Sequence, residues 1–360
     1  MVILTRVPTL ELALEITPRA RFDLIDIRAR ATEATDNQLS RHASCLYASR
    51  HTTAGFLPQS LATRLAATPD ALGSYLDLCR TVFPEGAGYQ HDRLELRHEL
   101  APEQRESEPA NADSHLAFIG GGLRACVTYD ARRPGPVYFV ELDGTYQGVS
   151  RRRLATVVGF DREREVATID IAVPVSPHPI DAINLRDPRF GLHEAIVALI
   201  DRHGVGKGRV RLELGGGEQH ASLTINEYET LLMQHDLADV LRDPLRFAKE
   251  KARHAWNDPC AVPAKVLGYA RYDLVQALNR LVDSLGLQAS VIERIVARAL
   301  AVPAARFLRM HRAVDLLVSD AGTGGRGALV EGTYQAPILI QWRPPRGVTR
   351  RVTVILSELS

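Results

Sequence analysis

Three histidines of this 360-residue chain stand inside short motifs rich in small and polar residues. The first motif is His51-Thr52-Thr53-Ala54-Gly55, the second runs from Pro84 through Gly86, Gly88 and Tyr89 to His91-Asp92, and the third is Asn111-Ala112-Asp113-Ser114-His115-Leu116. A fourth, Glu141-Leu142-Asp143-Gly144, carries carboxylates without an imidazole. Imidazoles that meet in one pocket have two chemistries open to them. Neutral rings each offer one nitrogen to a zinc-like divalent ion, and three such ligands leave a fourth position for water or substrate. The ion then acts as a Lewis acid or lowers the pKa of bound water. Protonated rings hold phosphate or diphosphate oxygens instead. His42, His98, His178, His193, His203, His235, His254 and His311 stand in no comparable motif, and His220 belongs with the second half of the chain, considered below.

The elements around these motifs read as mixed. Residues 22–27 (FDLIDI) and 45–50 (CLYASR) are strand-like, the second leading directly into His51. From Leu61 to Phe83 apolar residues recur at helical spacing, and Pro69-Asp70 interrupts them, so two short helices are expected. Residues 98–113 are polar with two prolines and read as a long loop. Strands are expected at 123–129, 136–142 and 153–160, with Asp143-Gly144 as the hairpin signal between the last two. This is an α+β pattern, not alternating βα units.

The order and spacing of the four motifs resemble the YjbQ family, whose signature reads HTTA, then Y-x-H-D, then N-A-x-x-H-L, then E-x-D-G. The resemblance covers residues 1–165 and implies a small β-sandwich with flanking helices that assembles as trimers. It also implies a pocket in which His51, His91 and His115 hold a metal and Glu141 acts as general acid or base with His51 and His115. Asp92 and Asn111 would orient imidazoles through their second nitrogens, and Thr52 and Thr53 would place hydroxyls at the pocket edge. The activity attributed to the family is a secondary thiamine-phosphate synthase, in which diphosphate leaves a pyrimidine as a thiazole nitrogen attacks. The sequence has no DDxxD-like acidic cluster to hold a diphosphate-bound cation, which counts against efficient synthase chemistry.

The first half departs from the family at two places, and the second half carries what is missing. Leu57-Pro58-Gln59-Ser60 stands where an Asn-Glu pair is expected, and Arg132-Arg133-Pro134-Gly135 where Gly-Thr-Trp-Gln is expected. Beyond a charged, proline-bearing stretch at 161–180 the order of elements restarts. IDAINL (180–185) resembles FDLIDI, RVRLEL (209–214) takes the place of CLYASR, and a helical stretch over 227–241 follows. Residues 338–342 and 348–355 resemble the closing strand pair. Asn226-Glu227 and Gly332-Thr333-Tyr334-Gln335 match the two missing segments, and their register puts Glu218 at the first histidine, with His220 two residues later. The expectation is a tandem duplication: residues 1–165, then a degenerate repeat over 175–360 with a helical insertion at about 244–310. Either Asn226, Glu227 and Gln335 complete the first half's pocket as cofactor-binding groups, or the two halves decayed independently.

Composition bounds the rest. Hydrophobic residues make up 45% and charged residues 24%, with a formal net charge of +1, so no bulk charge argues for nucleic acid or an anionic membrane. The partner expected is a small phosphorylated molecule or anion, beside further copies of the chain. The arginine clusters at 151–153 and 343–351 are expected to be solvated strand faces. Gly215-Gly216-Gly217 and residues 322–327 (GTGGRG) lack phosphate-loop spacing and read as flexible hairpin connections. The four cysteines show no paired spacing, as in a reducing compartment. Without a signal-like start or an apolar run of spanning length, a cytoplasmic setting is the expectation. A ligand-binding protein without turnover, or a structural assembly whose helices bind a partner, stands beside the enzymatic reading.

Overall fold

The computed structural model describes residues 8–67, 71–96, 103, 105, 108–175, 181–227, 311–341, 345 and 347–360. The expected helical stretches at 227–241 and 244–310 lie, apart from Glu227, outside the described residues. The chain divides into two compact units. All described strands belong to the first, drawn from Met1–Ala62, Leu123–Glu227 and His311–Ser360, and the described part of the second lies within Thr63–Gly122.

In the first unit the strands of residues up to Phe160 make two main antiparallel sheets. One has the order β1 (Leu10–Ile16), β9 (Arg153–Phe160), β3 (Ser44–Ser49), β5 (Cys126–Asp130). The other runs β2 (Asp23–Asp26), β6 (Tyr138–Glu141), β4 (Ala54–Phe56). Tyr47 of β3 lies 5.9 Å from Phe56 of β4, which meets Phe139 of β6 edge-on at 5.4 Å, so aromatic rings fill the space between the sheets.

The later strands follow the same order. β10 (Glu163–Pro174), β17 (Thr349–Leu359), β12 (Gly208–Leu214) and β14 (Ala313–Ser319) form one sheet, which β15 (Ala328–Val330) extends. β11 (Asp181–Asn184), β16 (Gln335–Gln341) and β13 (Ala221–Glu227) form the other. Period-two patterning marks β12, where Val210, Leu212 and Leu214 are buried while Arg209, Arg211 and Glu213 alternate outward; β13, β14 and β16 are buried almost throughout. Leu46, Ala48, Cys126, Val158 and Phe160 from the earlier strands share one buried cluster with Leu317 and Leu359 from the later ones.

Several expectations change on contact with the fold. The charged stretch at 161–180 holds β10, a sheet-edge strand whose charged, exposed face discourages further pairing. Ile27–Ala34 forms helix α1, capped by Asp26, whose side chain accepts the Ala29 N–H. Asp143-Gly144 is not a hairpin turn, because β6 and β9 lie in different sheets. The hairpin is one step later, β7 (Thr145–Tyr146) to β8 (Val149–Ser150), where Gln147 and Gly148 both take positive φ. Gly144 serves close packing instead, since a Cβ there would run into the Ala20 carbonyl oxygen. Gly322, Gly324 and Gly325 take positive φ in the hairpin turn joining paired β14 and β15, as expected, whereas Gly215-Gly216-Gly217 is no hairpin, because it joins β12 and β13 of different sheets.

The helices number two across Leu61–Phe83, as the Pro69-Asp70 break implies: α2 (Gln59–Ala66) and α3 (Ala71–Val82). Next among the described helices is α4 (Ala112–Gly120), which the second unit buries from Ala112 to Ile119. The Tyr75 hydroxyl of α3 donates to the Gly121 carbonyl at the end of α4. Between β11 and β12, α5 (Leu192–His203) buries Leu192, Ile196, Leu199 and Ile200 at helical spacing and ends on Gly204 at positive φ. Among the described residues no helix is long and apolar enough to cross a membrane.

Candidate functional site

The three motif histidines divide between the units: His91 and His115 in the second, His51 in the first. His91 follows the Gly86–Gly88 turn, where both glycines take positive φ, and His115 sits on the first turn of α4. Both rings are fully buried, their centroids 5.0 Å apart and their planes at 50°. Each can present a ring nitrogen within 4.8 Å of one on the other. Asp92 ties the two together. Its Oδ1 accepts the Ala112 N–H at 2.9 Å, at the start of the helix that carries His115, and lies 3.4 Å from Nδ1 of His91. The Asn111 carbonyl accepts the N–H groups of Ser114 and His115, so Asn111 acts here through its backbone in setting the first turn.

In the first unit His51, Thr53, Glu141 and Arg153 form one network. Glu141, at the end of β6, is fully buried. Its Oε2 accepts from Nε of Arg153 at 2.6 Å, and its Oε1 from Nη2 of Arg153 and from the Asp143 N–H, both at 2.8 Å. Arg153 Nη2 also donates to the Asp143 carbonyl at 2.7 Å and to Oγ1 of Thr53 at 3.3 Å. Burial pushes the Glu141 carboxyl up, and the Arg153 guanidinium pulls against it. With both oxygens engaged by a bidentate arginine, Glu141 is held as a carboxylate in this arrangement.

His51 accepts the Leu154 N–H on Nε2 at 2.8 Å, which fixes the neutral tautomer with the proton on Nδ1. Burial, then the charges of Arg153, Arg151 and Arg50, lower its pKa to about 3. It is a neutral imidazole at ordinary pH.

Residues of the later strands support the His51 segment from behind. Gln335 Nε2 donates to the carbonyls of Ser49 (3.0 Å) and His51 (2.9 Å), and Asn226 Nδ2 donates to the Thr52 carbonyl at 3.1 Å. Both amides are buried, and both act on backbone. The Gln335 carbonyl side is held by the Gly332 N–H at 2.9 Å, and Gly332 lies so close to the Arg50 carbonyl that a Cβ would collide with it. The Glu227 N–H closes on Oδ1 of Asn226 at 2.8 Å.

No protein-family model and no curated protein matches the chain. Solved structures do. A YbjQ-like protein of unknown function from Sulfolobus solfataricus is 15% identical, with 55% of this chain and 99% of that one covered at a TM-score of 0.28. An uncharacterized conserved protein of the YjbQ family from Clostridium acetobutylicum is 16% identical, with 52% and 98% covered at 0.25. A hypothetical protein from Aeropyrum pernix is 15% identical, with 52% and 96% covered at 0.28. Each of these likenesses covers about half of this chain and nearly all of the other.

Two arginines escaped the sequence reading. Arg153 and Arg350 belong to clusters expected to be solvated, yet they are 7% and 1% exposed. Only their neighbours behave as expected: Arg152 is exposed and pairs with Glu15, and Arg351 is also mostly exposed. No local signal marked Arg153, because β9 is buried on both faces from Ala155 to Phe160 and shows no alternation there.

Proposed function

We propose that the chain is a tandem duplication of a YjbQ-like domain, over residues 1–165 and 175–360, that binds a zinc-like divalent ion through His91 and His115. The reaction class that follows is thiamine-phosphate-synthase-like or other metal-assisted chemistry on a small phosphorylated substrate. The observation that carries this is the buried, adjacent placement of two imidazoles whose ring nitrogens approach within 4.8 Å, braced by Asp92. Histidine pairs with a carboxylate behind one ring suit a zinc-like ion, which supplies Lewis acidity or an activated water when bound. Asp92 holds His91 in place, and Asn111 sets the helical turn that carries His115. Support for duplication comes from the repeated strand orders and from the equal pairing of Ala54 with Glu141 and of Ala221 with Gln341. A trimer-like assembly in the cytoplasm goes with this reading.

One observation favours a second reading, a binding protein without turnover. Nε2 of His51 and both oxygens of Glu141 are committed to internal partners, so neither stands ready as ligand or acid/base.

Elemental analysis of purified wild type, His91→Ala and His115→Ala tests the metal. Stoichiometric metal in wild type and none in either variant is the expected result, and a metal-free wild type refutes it in favour of anion binding or a retired site. The composite pocket is tested by Glu227→Gln: unchanged metal binding there, where His115→Ala abolishes it, removes the second half from the site.

A further inference from the structure

The carboxylate that neutralises Arg153 sits at the end of β6, whereas the one that meets Arg350 sits in the loop before β13. In other respects the two places correspond. Glu141 pairs with Ala54 across β6 and β4, and Gln341 pairs with Ala221 across β16 and β13. His51 stands three residues before Ala54, as Glu218 stands three before Ala221. His51 Nε2 accepts the N–H of Leu154, the residue after Arg153, and Glu218 Oε1 accepts the N–H of Arg351, the residue after Arg350, each at 2.8 Å. Nε of Arg153 donates to Glu141 at 2.6 Å, and Nε of Arg350 donates to the Gln341 carbonyl oxygen at 3.1 Å. Arg350 then finds its carboxylate through Nη1, 2.9 Å from Oε2 of Glu218.

At these two corresponding positions each buried guanidinium therefore has one carboxylate and one neutral acceptor, with the carboxylate on opposite positions. A guanidinium buried without a counter-charge is costly, and two carboxylates around one guanidinium leave a buried negative charge over. The loop position has a second task, accepting the backbone N–H after the arginine, which an imidazole nitrogen and a carboxylate oxygen both perform.

We propose that His51–Glu141 and Glu218–Gln341 are interchangeable sets. One carboxylate per buried arginine is required, and either position can supply it. The second half then lacks a histidine at residue 218 because the counter-charge moved there when Gln341 replaced the strand-end carboxylate. The exchange concerns what holds these strand ends together and does not depend on metal binding at His91 and His115.

The test is a pair of double-mutant cycles in the full chain, read by equilibrium urea unfolding. In the first half the variants are His51→Glu, Glu141→Gln and both together; in the second they are Glu218→His, Gln341→Glu and both together. Each single change should raise the unfolding constant at least tenfold, or prevent folding. Each double should be at least tenfold more stable than the product of the single effects. The second cycle guards against a peculiarity of His51. Singles that match wild type, or doubles that are additive, or doubles that fail to fold alongside their singles, overturn the proposal.

Discussion

Replacing Arg153 with methionine keeps an apolar stem but strips the counter-charge from Glu141, which has no exposed surface. Both guanidinium bonds to Glu141 go, together with those to the Asp143 carbonyl and Thr53. Removing one partner of a buried ion pair costs about 3–5 kcal/mol, against about 0–1 kcal/mol for an exposed pair. The expected loss is therefore at the upper figure, a rise in the unfolding constant of roughly a hundredfold or more. The loss should also depend on pH. Without Arg153 the burial that raises the Glu141 pKa is opposed only by the Asp143 N–H, so the folded-state pKa rises further above the unfolded value. A carboxyl whose folded pKa lies above its unfolded value contributes stability fully present below the unfolded value and lost as pH rises. The variant's deficit must then shrink on acidification. His51 acts in the same direction, because losing the nearby Arg153 charge relaxes the depression of its pKa. Urea unfolding followed by circular dichroism at pH 7.5 and pH 5 measures both effects. A deficit under about 1 kcal/mol at the higher pH, or one that grows on acidification, refutes the account of Arg153 as a buried counter-ion.

Two further outcomes follow from the same network. In wild type, His51 stays neutral down to a pKa of about 3 while the unfolded chain takes up a proton near the ordinary value of 6.5. The contribution is thus intact above pH 6.5 and falls by up to about 1.4 kcal/mol per pH unit below it. In His51→Gln, whose side-chain oxygen can still accept the Leu154 N–H, that slope should flatten; equal slopes in a pH series of unfolding midpoints count against it. Gly332→Ala should lower the thermal midpoint through a loss of about 1–3 kcal/mol, because the new methyl meets the Arg50 carbonyl and drags Gln335 off the Ser49 and His51 carbonyls. An unchanged midpoint there means that the 332–335 turn yields without cost.

Much of the framework was readable along the chain because local patterning decides it. Alternation in RVRLEL produced β12, the break at Pro69-Asp70 separated α2 from α3, and the glycines of 322–327 made the turn between β14 and β15. His51 and Glu218, which the sequence register sets against one another, accept the N–H groups of Leu154 and Arg351 at equal distance. The strands β1 and β10 went unread. LELALEI of β1 does alternate, with Leu10, Leu12, Leu14 and Ile16 on one face, so that signal was present and overlooked, whereas β10 carries its charges on a sheet edge where charge is tolerated.

What sequence types alone determined is which groups are available: imidazoles and carboxylates in ordered motifs, and amides in the second half that the first half lacks. Tertiary structure decided which of those groups are already engaged. Glu141 and Arg153 meet because β6 and β9, strands of different sheets, end at the same place. Arg350 takes Glu218 and Gln341 as partners for a similar reason. Asn226 and Gln335 reach backbone carbonyls, acceptors that every residue possesses and that no motif can mark. An arginine in a cluster reads as solvated until the fold removes its water. The cost of that desolvation depends on neighbours distant in sequence, so only the three-dimensional arrangement could separate buried Arg153 from exposed Arg152.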